Sequence, residues 1–128
     1  MNNLKTEFIT WFHNEFATTE MWQGMDDVCE DSPWHREINV AVHTRMVTAQ
    51  YLTMVESDNW SLVDLCGAFA SAFHDVGKPA ARTEDFKPER GVSYRYGGHE
   101  LLSSRLWETW ASANWIMLQS RFCFVGGE

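Results

Sequence analysis

At 128 residues the chain is long enough for one domain with its own hydrophobic core and too short for two. Ten basic side chains against 18 acidic ones give a net charge of −8, which excludes a surface built to hold nucleic acid nonspecifically or to lie on anionic lipid. With 45% of the residues apolar and 14% aromatic, a disordered chain is excluded as well.

Residues 4 to 16 place Leu4, Phe8, Ile9, Phe12 and Phe16 at helical spacing, which predicts an amphipathic first helix. Residues 17 to 37 break up around Gly24, Asp26, Asp27, Ser32 and Pro33, so an irregular connection with a short helical turn inside it is expected. Asn39 is placed to cap a helix over VAVHTRMVTAQYLTMV, whose stripe reads Val40, His43, Val47, Tyr51 and Met54, with His43 on the apolar face. Ser57-Asp58-Asn59 marks a turn, and the run from Trp60 to Phe73 predicts a helix buried on most sides. His74 and Asp75 close that helix, with Gly77 and then Pro79 read as its stop. Residues 80 to 98 are polar and charged, as in a loop or short β-hairpin ended by Gly97-Gly98. A last helix is expected from His99 to about Gln119, with Leu102, Leu106, Trp110 and Ala113 or Trp115 inward, and the tail QSRFCFVGGE reads as lacking a final helix. Four helices and almost no strand predict an all-α bundle, a single domain over 1–128.

Cys29, Cys66 and Cys123 are odd in number and show no CxxC spacing, so a disulfide framework is not expected and the cytoplasm is the natural compartment. The N-terminal stretch has no signal-peptide pattern, and no apolar run approaches the ~18 residues of a membrane span, so no membrane partner is expected. A local basic pocket is compatible with the net acidity, because Lys78, Arg82, Lys87, Arg90, Arg95 and Arg105 gather in the second half.

The chemistry gathers around AFHDVGKP, residues 72 to 79. A His-Asp doublet alone is weak, but His43 lies on the inward face of one helix, His74-Asp75 ends the next, and His99 opens the last. Three helices thereby deliver His, His-Asp and His to one point. Imidazole nitrogen with carboxylate oxygen suits a divalent ion such as Mn, Mg, Fe, Ni, Co or Zn, and a sparse set leaves open positions for water and substrate. Such an ion activates water and polarises a phosphoryl oxygen, so hydrolysis of a phosphate ester fits best. Each residue also has a plainer reading. His43 alone suits a core histidine bonded to a carbonyl, Asp75 a salt bridge to Lys78 or Arg82, and Lys78 a cap on the preceding helix. The tryptophans are expected to pack, with Trp34 beside His35 also able to stack on a base.

His43, then His74-Asp75 in HDVGKP, then His99 in GGHE resemble the HD-domain metal-dependent phosphohydrolase superfamily over roughly Ser32 to Trp110. AFHDVGKPAART…YGGHELLSSRLW is similar in particular to the HD domains of bacterial tRNA nucleotidyltransferases and to small phage-type HD proteins. The resemblance implies an all-α HD-type bundle with a loop or short hairpin before its last helix, shortened at its C-terminal end. It implies His43, His74 and Asp75 as metal ligands and His99 as a further ligand or a phosphate contact. Asp75 and Lys78 are the expected catalytic residues, and Lys78, Arg36 and Arg82 the expected substrate contacts. The expected substrate is a small phosphorylated molecule, a nucleotide or a nucleic-acid end, and a homodimer is a further expectation. The later aspartate that family members carry has no counterpart here beyond Asp85, where the side-chain carboxylates are those of Glu89, Glu100, Glu108 and Glu128. That departure favours the alternative, a non-catalytic or accessory HD module binding a nucleotide or a partner protein.

Overall fold

The computed structural model describes residues 3–29, 39–89 and 91–122. It is mostly helical. In chain order the elements are α1 (Leu4–Asn14), a 3-10 turn (Phe16–Thr18), α2 (Glu20–Asp26), α3 (Val40–Met54), α4 (Leu62–Phe73), α5 (Lys78–Ala81), β1 (Thr83–Lys87), β2 (Gly91–Arg95), α6 (His99–Ala113) and α7 (Trp115–Phe122). None of these helices is long and apolar enough to cross a membrane.

Caps set the starts of the two central helices, the one on α3 expected from sequence and the one on α4 found in the structure. Asn39 accepts from the Val42 amide at 2.8 Å and starts α3. Ser61 accepts from the Asp64 amide while the Asp64 carboxylate accepts from the Ser61 amide, a reciprocal pair that satisfies two amides the helix itself leaves unpartnered. Ser61→Ala should cost about 1 kcal/mol, read as a lower midpoint in urea with an unchanged slope.

Four buried rings, Phe8, Trp11 and Phe12 on α1 and Phe16 just after it, meet Trp22, Trp60, Phe69, Phe73 and Phe122 to make the core. Their contacts are directional: Phe8 meets Phe69 edge-on at 5.3 Å, and Trp11 stacks on Phe16 at 4.9 Å. Arg121 on α7 reaches back to Glu7 at 2.6 Å and to Glu15, tying the last described helix to the first.

Several expectations are corrected. The buried face of α3 is Val40, Ala41, Thr44 and Thr48, whereas Met54 is 80% exposed and His43 only half-buried. Small threonines let α3 approach its neighbours, and Thr44 Oγ1 finds the Met25 sulfur at 3.6 Å. Gly77 and Pro79 do not end a helix in the left-handed manner. Gly77 has φ −82° and is the N-cap of the short α5, in which Pro79 takes an early position that proline tolerates. Residues 83 to 95 form an antiparallel hairpin pairing Thr83 with Arg95 and Lys87 with Gly91. The last helix divides at Asn114, whose side-chain amide donates to the Trp110 carbonyl at 2.9 Å. The helical path then resumes to Phe122, so the segment read as lacking a final helix is helical over Gln119–Phe122. Ala113 and Trp115 are exposed, and the inward residues of this end are Leu118 and Phe122.

Candidate metal centre

Three helices each bring one imidazole to the turn between α4 and α5. His43 comes from the second half of the first turn of α3, His74 is the C-cap of α4, and His99 is the first residue of α6. The α6 start depends on Gly98, whose φ of +78° lies in the left-handed region that glycine adopts without a Cβ clash. Between them stands Asp75, 3% exposed.

The two carboxylate oxygens of Asp75 have different neighbours. Oδ2 lies 2.9 Å from His74 Nε2, 3.5 Å from Lys78 Nζ and 3.8 Å from His43 Nε2. Oδ1 lies 3.2 Å from His99 Nε2. The structure thus brings together His43, His74, Asp75, Lys78 and His99, all five predicted from sequence. One donor atom from each of His43, His74 and Asp75 lies within 4.8 Å of the other two, while His99 reaches the second oxygen of the carboxylate. Arg82 is placed elsewhere, its guanidinium 4.9 Å over the Tyr94 ring on the hairpin. Trp34, His35 and Arg36 fall outside the described residues, as does Cys123, while Cys29 and Cys66 are exposed free thiols.

The backbone fixes the histidine tautomers. His74 Nδ1 sits 2.6 Å from the Ser71 carbonyl and His99 Nδ1 2.9 Å from the Tyr96 carbonyl, in each case three residues back in the chain. A carbonyl only accepts, so both Nδ1 atoms carry hydrogen, and in the neutral ring Nε2 then presents a lone pair. Two such lone pairs directed at one carboxylate, at 2.9 and 3.2 Å, oppose acceptor to acceptor unless a proton or a metal cation lies between them. This donor set fits a divalent ion, with its outer ring bonds in the arrangement that metal-ligating histidines adopt.

Electrostatics point the same way. Burial alone would depress the His74 pKa, but its hydrogen bond and attraction to Asp75 outweigh burial and hold it above the ordinary histidine value. Burial alone would raise the Asp75 pKa, but the His74 hydrogen bond and the charges of His74, Lys78 and His99 hold it below the ordinary carboxylate value. Lys78 is 6% exposed, with Nζ 5.4 Å from the centre of the Tyr96 ring. It pairs with Asp75 at 3.5 Å, the plainer reading given above for that carboxylate.

Sequence reasoning missed two supporting residues. Tyr96 supplies the carbonyl that orients His99, the ring beside Lys78, and a hydroxyl that donates to the Cys29 carbonyl. Ser103 accepts the Gly77 amide at 2.9 Å and locks the turn to α6. The i−3 position of Tyr96 relative to His99 is the one signal that could have revealed it. No family model, curated protein or solved structure matches the chain, so the site is read from its own geometry.

Proposed function

We propose that this chain is a divalent-metal-dependent phosphohydrolase of the HD type, cleaving a phosphomonoester or phosphodiester of a nucleotide or nucleic-acid end. The observation that carries the reading is the convergence of three imidazoles and Lys78 on the two oxygens of one buried carboxylate. His43, His74 and Asp75 would hold the ion, with His99 as a further ligand or phosphate contact. When bound, the ion would supply an activated water and polarise the phosphoryl oxygen. The Ser71 and Tyr96 carbonyls keep hydrogen on the Nδ1 atoms of His74 and His99, so each Nε2 is presented to the centre in one orientation. Lys78, with Nζ 3.5 Å from Asp75 Oδ2, would offset negative charge growing on the nonbridging oxygens of the ester.

Metal analysis of the purified protein, paired with hydrolysis of an aryl phosphate before and after chelation, tests the reading. Near-stoichiometric divalent metal and turnover lost on chelation and restored by metal are expected. A protein that takes up no divalent metal and cleaves no ester sinks the reading and leaves the non-catalytic module, the alternative favoured by the lack of an aspartate beyond Asp85.

A pH dependence follows from the two shifts. The raised His74 proton stabilises the metal-free fold below the ordinary histidine value of ~6.5, and that contribution is lost as pH rises through its higher folded value. The ionised Asp75 stabilises the fold above the ordinary carboxylate range, and this is lost only as pH falls through its lowered value. Metal displaces the His74 proton, so its affinity should fall roughly tenfold per pH unit on acidification from pH 7 to pH 5, measured by competition with a chromophoric chelator. An affinity flat across that range would contradict ligation by His74.

A further inference from the structure

A cavity of about 450 Å³ opens beside the candidate metal centre, and its shape comes from two facing helix stripes. From α4 come Cys66, Phe69, Ala70 and Phe73, at successive helical spacings that end at His74. From α6 come Glu100, Ser103, Ser104 and Trp107, with the same spacing. Where the helices face each other the residues Ala70, Ser103 and Ser104 are small, and this opens the gap. Phe69, Phe73 and Trp107 form its floor, with Trp107 5.4 Å from Phe69 and 5.0 Å from Phe73.

His74 is shared between this groove and the metal centre, so a molecule with its phosphate at Asp75 has the groove as the adjoining space for its organic part. From His74 back to Cys66 is eight helical residues, a run of ~12 Å, enough for a fused ring system. The walls are apolar and aromatic, and among the described residues no Lys or Arg lines them. Glu100 is the acidic wall residue, exposed at the mouth and 3.6 Å from His99 Nδ1, and it would repel a second phosphate. Charge and shape together select an uncharged flat ring over a sugar phosphate or a polyphosphate tail.

We infer that this groove between α4 and α6 is the binding site for the flat, uncharged aromatic part of the ester, a conclusion that rests on the phosphohydrolase reading for the identity of its other end. Cys66 in the wall provides a readout independent of turnover. Peptide-resolved alkylation by iodoacetamide is followed with and without 1-naphthol, with the exposed Cys29 as internal control. We expect 1-naphthol to slow Cys66 alkylation at least fivefold and leave Cys29 unchanged, and Ala70→Trp, a filling substitution at an exposed position, to abolish the protection. In turnover, 1-naphthyl phosphate and adenosine 5′-monophosphate should each exceed glycerol phosphate at least tenfold in kcat/KM, with Ala70→Trp erasing that preference. Whichever of the first two is the better substrate tells an aryl group from a nucleobase. No protection of Cys66, protection that survives Ala70→Trp, or equal protection by hexanol would overturn the inference. Protection without hydrolysis of any ester would sustain the groove as an aromatic site and remove the hydrolase reading alone.

Discussion

Asp75→Asn should abolish metal uptake and lower the turnover of an aryl phosphate by at least about a thousandfold, because it removes the buried carboxylate on which three imidazoles and Lys78 converge. The amide keeps the shape of the side chain, so loss of packing does not explain the effect. The carboxylate is 3% exposed and faces Lys78 and three imidazoles, so the metal-free protein suffers too. Removing a buried carboxylate that an ammonium and three imidazoles face costs about 3 kcal/mol, which lowers the melting temperature by roughly 10 °C. The two losses separate in a double variant. Adding Lys78→Met to Asp75→Asn removes the ammonium that faced the carboxylate and should restore part of the melting temperature while metal uptake stays absent. A single variant that retains stoichiometric metal and wild-type turnover would show that the cluster is only an ion-pair network.

Much of this centre was legible in the sequence, because its residues lie at helix boundaries that announce themselves. Asn39 marks where α3 begins, and the His74-Asp75 doublet falls one step past the apolar run that ends at Phe73. Once those ends are known, His43, His74 and His99 have few places to go. The burial pattern of α3 was not legible. An apolar stripe through Met54 outscored Thr44 and Thr48 in hydrophobicity, yet close packing favours small side chains, and the threonines are the residues buried. The break at Asn114 escaped for a related reason, since a side chain bonding to its own helix leaves no proline or glycine to mark it. The groove was equally invisible, because it arises from what Ala70, Ser103 and Ser104 lack.

Gly77 joins fold to site, and its role differs from the helix stop expected of it. Its φ of −82° is open to any residue, so conformational freedom does not explain the glycine. A Cβ built there would lie 2.5 Å from the His99 carbonyl oxygen, 2.6 Å from the Ser103 nitrogen and 2.8 Å from Leu102 Cβ. Two of these are backbone atoms of the first turns of α6, which cannot rotate aside as a side-chain tip would. The Gly77 amide also donates to Ser103 Oγ at 2.9 Å, a bond that draws the same two segments together. Gly77→Ala must therefore push α6 outward, and His99 with it, from a carboxylate oxygen now 3.2 Å away. Overpacking against backbone should cost about 3 kcal/mol, and misplacing His99 should weaken metal binding roughly tenfold to a hundredfold. Gly97→Ala is the matched control two residues before His99: a Cβ there meets nothing within 4 Å, so stability should stay within about 0.5 kcal/mol of the parent. If Gly77→Ala melts like the parent and binds metal as tightly, the turn is not pressed against α6, and the route by which the fold places His99 at Asp75 is wrong.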